Sequence, residues 1–134
     1  MANPNIAALT TIKGNTAYVV PSGTSATTSW TFDGTTSLTG LTPASGTVNK
    51  ITGIIVSNTT GSSVNATIAI GNNATFGSAT VTAYLAYQIS VPANASLIVV
   101  DKTTDVYITE NQSVAVTSAT ASALTFVVAF EAIS

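Results

Sequence analysis

Val81, Ala83, Leu85, Tyr87, Ile89 and Val91 occupy alternate positions in one stretch of the chain, with Thr82, Tyr84, Ala86, Gln88 and Ser90 between them. A period of two is the repeat of an extended strand, whose side chains point to opposite faces in turn. The pattern returns at Val64, Ala66, Ile68 and Ile70, and again at Leu124, Phe126, Val128 and Phe130. Shorter versions stand in "DVYITE" and "SVAVTS". "KITGIIVSN" and "ASLIVVD" are apolar on both faces, as a central or doubly covered strand is. No segment holds a 3.6-residue period with caps, so helix content is expected to be small.

Turn chemistry separates these runs. "NTTGSS", "PANA" and "ENQS" read as reversals, and "GNNATFGS" as a longer loop. Seven or so short strands with frequent turns predict an all-β fold: a single-domain antiparallel β-sandwich, jelly-roll-like, with the Val, Ile, Leu and Phe faces packed between two sheets. Residues 1–13 are expected to form an N-terminal arm and 14–134 the sandwich, interrupted by a Ser/Thr/Gly-rich insertion at about 21–46. That insertion carries the only Trp, Trp30, close to Phe32. Two readings stand. In one, Thr28 to Phe32 is a short strand whose aromatics enter the core. In the other, the insertion projects and its aromatics dock on a neighbouring subunit, where such side chains are favoured anchors. Ile6 and Leu9 of the arm join Trp30 and Phe32 as candidate interface residues.

Charge is scarce. Charged residues make up 6% of the chain, against roughly 25% in ordinary globular proteins. The cations are three lysines, Lys13, Lys50 and Lys102, and with no Arg neither phosphate clamps nor bidentate base contacts can be built. No nucleic-acid partner is expected. No membrane span is expected either, since such a helix needs about 20 consecutive apolar residues and Thr, Ser, Asn or Gly interrupts every run. A surface this poor in charge must be hydrated by hydroxyls and amides, or covered by neighbouring copies. The start "MANPNIAALTTIKGN" lacks the basic and apolar regions of a secretory signal, so folding in the cytoplasm of the producing cell is expected.

The chemistry of catalysis is thin. Histidine is absent, which removes the usual general base, the triad and the commonest metal ligand. Cysteine is absent too, excluding disulfides and thiolate metal sites. A Ser–Lys pair has nothing in its spacing to recommend it. Asp33, Asp101, Asp105, Glu110 and Glu131 could supply a glycosidase pair, yet Asp101 ends an apolar run, Asp105 opens the next strand and Glu110 begins a turn. Those are places where any sheet protein puts charge. No calcium loop or phosphate-binding glycine motif is present. Asn58, Asn65, Asn73, Asn94 and Asn111 each fit N-x-[ST], a match that chance supplies in a chain so rich in Asn, Ser and Thr. No catalytic residue, metal or cofactor is therefore expected.

The order "KITGIIVSN" (50–58), "AYQISVPANASLIVVDK" (86–102), "VYITENQSVAVTS" (106–118) and "FVVAFEAIS" (126–134), with the start "MANPNI", resembles small β-rich structural virion proteins of tailed phages, especially those of marine bacteria and cyanobacteria. In that group a "MA-x-PNI" start precedes a β-rich body that closes near a "YEEIS"-like tail. Here Phe130 replaces the aromatic of that tail, Ala132 replaces an acid, and the insertion between Ser22 and Gly46 is longer. The resemblance implies a capsid decoration, or cement, protein on the outer capsid surface of the virion. Its expected partner is the major capsid protein, and it is expected to self-associate, with a trimer among the states the family adopts. A second expectation, from a different class, is a tail- or fibre-associated adhesion module that stacks Trp30, Tyr84, Tyr87 and Tyr107 on host glycan.

Overall fold

The structure, a computed structural model, describes residues 8–32, 34–72 and 81–134. Ten strands among them carry the alternating runs: β1 (Ile12–Val19), β2 (Ser29–Phe32), β3 (Thr36–Thr39), β4 (Val48–Asn58), β5 (Val64–Gly71), β6 (Val81–Val91), β7 (Ser96–Val100), β8 (Val106–Ile108), β9 (Ser113–Ser118) and β10 (Leu124–Ile133). The described residues contain no α-helix. The strands form two antiparallel sheets. The larger runs β3-β2-β1-β10-β4-β7, with β8 also on β4, and the smaller runs β6-β5-β9. The fold is the expected all-β sandwich.

The core follows from the pleat. Ala17 and Val19 of β1, Ile54 and Val56 of β4, and Phe126, Val128 and Phe130 of β10 turn inward from the large sheet. Val64, Ala66, Ile68 and Ile70 of β5 and Val114 and Val116 of β9 meet them from the small one. Each fully buried aliphatic or Phe side chain contributes about 1.5–3 kcal/mol of transfer free energy. Asn58 closes the turn after β4 while buried: its Nδ2 donates to the carbonyls of Ser62 (2.8 Å) and Val91 (3.0 Å), and its Oδ1 accepts from the Thr60 amide (2.9 Å). The "NTTGSS" reversal is thus an Asx turn, with the buried amide fully satisfied.

"KITGIIVSN" is central, as expected: β4 lies between β10 on one side and β7 and β8 on the other. "ASLIVVD" is not doubly covered. β7 is an edge strand, and Ile98 stands 71% exposed on the outer face of the large sheet. A register shift against β4 inserts Val99 as an extra residue, so both Val99 and Val100 reach the core and leave Ile98 outward.

The alternation over residues 81–91 is overturned more thoroughly. Ala86, expected outward, is buried, and Tyr87, expected inward, is exposed. Three register shifts against β5 cause this. Ala66 pairs with Ile89 and Ile68 with Ala86, so two residues of β6 (Tyr87 and Gln88) face one of β5 (Thr67); Leu85 and Thr82 are extra in the same way. Each bulge reverses the facing of the residues beyond it. Gln88, at φ 48°, sits in the left-handed region that side-chain-bearing residues rarely adopt.

Candidate interaction surface

Trp30 decides how the insertion is used. It lies on β2, fully buried, and its Nε1 donates to the carbonyl of Val114 on β9, 3.0 Å away. The second reading of residues 21–46 is thereby corrected: this aromatic anchors inside its own chain and has no surface left for a neighbour. The insertion is built as the β2–β3 hairpin, paired to β1 through Ala17–Phe32 and Tyr18–Thr31. It then crosses to the other sheet. Gly40 and Leu41 both have positive φ (66° and 54°), and the Gly40 carbonyl accepts from the Val114 amide at 2.7 Å. Thr27 exchanges both backbone hydrogen bonds with Val116 (2.9 and 3.0 Å). The edge of β9 is therefore sealed by the insertion, which disposes of one strand edge that could otherwise pair with another chain.

Phe32 is half-buried. Its ring rests on Phe130, with centroids 6.3 Å apart, and lines an open cleft of about 240 Å³. Leu9 is half-buried just ahead of Thr10 and Thr11, whose amides donate to the Ser134 carbonyl (2.9 and 3.1 Å). Strand pairing already begins at Ile12, inside the stretch read as an arm. Ile6 lies outside the described residues, as does the loop expected after Gly71 beyond Asn72.

In the charged stretch after β7, Asp101 and Asp105 make side-chain contacts. Asp101 Oδ1 accepts from the Thr103 amide (2.8 Å) and hydroxyl (2.6 Å), and these bonds hold its carboxyl below the usual range. Lys50 Nζ meets Asp105 Oδ2 at 2.8 Å, a bond that raises the lysine pKa, with Tyr107 and Glu131 adding smaller pulls. Asp101 thus shapes its own turn and Asp105 Oδ2 joins the segment before β8 to β4, while Asp105 Oδ1 is buried without a hydrogen-bond partner among the described residues. Among the described residues no three His, Cys, Asp or Glu side chains gather as a metal site, and no helix is long and apolar enough to cross a membrane.

What remains open is a row of side chains that sequence reading did not isolate. On the outer face of the large sheet Tyr18 (β1), Val127 (β10), Ile55 (β4) and Ile98 (β7) lie opposite one another in direct register. Their chain neighbours Ala17, Val19, Phe126, Val128, Ile54 and Val56 fill the core, so the row faces out. Tyr18, Ile55 and Ile98 are exposed and Val127 half-buried. Beside the row the same face carries Ser57 and Ser96, whose hydroxyls meet at 2.7 Å, and Thr125, Ala129 and Thr16. It is a band, apolar at its centre, with hydroxyls around it. The signal lay in Tyr18, Ile55, Val127 and Ile98 each occupying the outward phase of its strand, but only the register shows that they form one line.

Comparison of the chain with protein-family models, with curated proteins and with solved structures finds no significant match.

Proposed function

We propose that this protein is a non-enzymatic structural component of a phage virion, a capsid decoration protein that cements neighbouring major capsid subunits through the outer face of its large sheet. The observation that carries the reading is the Tyr18–Val127–Ile55–Ile98 row, an apolar line across four strands on a face that offers hydroxyls around it. Such a core with a polar rim is the anatomy of a protein-protein contact. The resemblance of its short motifs to those of small phage virion proteins is what supports the major capsid protein as the partner in this reading. Burying an exposed Ile side chain fully contributes about 1.5–3 kcal/mol. A contact of this modest size becomes decisive when each copy, or each oligomer, touches several lattice subunits at once.

The test is made on particles. Heads assembled without the protein are expected to lose resistance to heat or low salt, and to regain it when wild-type protein is added. An Ile55→Lys/Ile98→Lys variant, which keeps the core intact, is expected neither to bind nor to restore resistance. Heads equally stable with and without the protein would overturn the cementing role; full rescue by the double variant would overturn the assignment of the face.

A further inference from the structure

The small sheet carries a second surface of different character. Tyr84 and Tyr87 stand 52% and 60% exposed on β6, their rings in edge-to-face contact with centroids 4.8 Å apart. Together they wall one side of a groove of about 150 Å³ on the outer face of the sheet, lined also by Thr67 and Ala69 of β5, Ala115 and Thr117 of β9, and Ala26 and Val81. Regular alternation cannot produce this arrangement. Tyr84 and Tyr87 are three apart, and on an unbroken strand they would point to opposite faces. The extra residue at Leu85 and the Tyr87–Gln88 bulge bring both rings to one side. The turn is held by the Gln88 amide, which donates to Thr67 Oγ1 at 3.1 Å, and it requires Gln88 to adopt its left-handed conformation. Unfavourable backbone of this kind persists where its surroundings enforce it, and it concentrates at binding sites.

The lining determines what could sit there. Among the described residues no carboxylate and no ammonium borders the groove, so a charged ligand has no partner. The rest of the lining is of small side chains, so a ligand ring can settle against the exposed surface of the tyrosine pair. The polar groups are hydroxyls, from Thr67, Thr117 and the two phenols, each able both to donate and to accept. A ligand matching this set has an apolar face for stacking, a periphery of hydroxyls and no net charge. We infer that the groove beside the Tyr84–Tyr87 pair binds a ring of a neutral saccharide. The volume is below the roughly 300–1,000 Å³ of pockets that engulf a drug-sized molecule, so one sugar ring is held at the surface and useful avidity comes from several copies. A Pro-rich peptide also docks on aromatics, but it runs along a groove wider than a single pair of rings provides. The site is on the opposite sheet from the apolar row, so the two surfaces are separable by mutation.

The intact protein, displayed in many copies on beads, is probed on an array of neutral and anionic glycans together with Pro-rich peptides. Hits are followed by amide chemical-shift titration with the free oligosaccharide. Neutral glycans are expected to bind and to shift the amides of β5, β6 and β9. Tyr84→Ala and Tyr87→Ala are each expected to weaken binding at least tenfold with the circular dichroism spectrum unchanged. Thr117→Gln, which fills the groove and leaves both rings in place, is expected to do the same. Ile55→Lys/Ile98→Lys is expected to bind glycan as the wild type does. Absence of any neutral glycan hit, a preference for anionic glycans or for Pro-rich peptide, or binding that survives loss of both tyrosines would each overturn the inference.

Discussion

The outer faces of the two sheets are made from the same kind of residues yet differ in kind. β1 pairs with β10 over eight successive positions without a shift, and β10 follows β4 with one, so side chains in phase line up into rows across the sheet. β6 follows β5 with three shifts, and its side chains are re-aimed individually. A register with few shifts makes a continuous row that can meet an extended surface, even with the shift between β4 and β7 beside Ile98. Bulges make a local feature, a pair of rings beside a groove. The lesson is that facing on a strand is set by the count of residues between hydrogen-bonded partners, not by sequence parity alone.

The largest effect is expected at the residue that ties one sheet to the other. Trp30→Ala removes a fully buried indole and its bond to the Val114 carbonyl, and should lower unfolding stability by about 3–5 kcal/mol in urea titration. Trp30→Phe keeps most of the packing and leaves that carbonyl without its donor, at a cost of about 1–3 kcal/mol. If Trp30→Ala costs less than the Phe variant, the indole is no tie between the sheets.

A smaller change sharpens the contrast from the bulged side. Gln88→Gly relieves a left-handed conformation that costs a side-chain-bearing residue roughly 1–2 kcal/mol, offset by the roughly 0.5–1 kcal/mol entropic cost of glycine. A net gain of up to about 1.5 kcal/mol is expected in the same titration, where a loss would mean that Gln88 holds the bulge through its side chain.

The smallest effects are electrostatic and appear at the pH extremes. Lys50 has a folded pKa above its ordinary 10.5, so its contribution is complete below that value and fades as pH rises through the raised one. Asp101 has a folded pKa below its ordinary 3.8, so its contribution is present above 3.8 and fades as pH falls through the lowered value. Comparing the wild type with Lys50→Gln should remove part of the alkaline limb alone, and comparing it with Asp101→Asn part of the acid limb alone. Asp101 is exposed and the Lys50 and Asp105 side chains keep 25% and 24% of their surface in solvent, so the differences should be small and shrink further for the Lys50–Asp105 pair as salt is added.

Strand existence, the core residues of β5 and β10, and the structural use of Asp101 and Asp105 were legible along the chain. Each depends on the local pleat or on a turn a few residues long, except that the partner of Asp105, Lys50 on β4, is 55 residues away and was not legible. Trp30 left two readings open because burial of an aromatic is a property of what packs over it, and Val114 is 84 residues away. The facing of Tyr87 and Ala86 was misread because a bulge exists only relative to a partner strand. The edge position of β7 was missed for a related reason: Leu97, Val99 and Val100 enter the core whether or not a second layer covers Ile98.

Period-two alternation and turn chemistry therefore determined by themselves that this chain is an antiparallel sandwich of short strands with a Val, Ile and Phe core, because the backbone pleat acts between adjacent residues. Which strands stand at an edge, where extra residues enter β6, and which outward side chains share one row were decided only in the folded molecule. Those are matters of register between segments distant in sequence, and hydrogen bonds across strands set them.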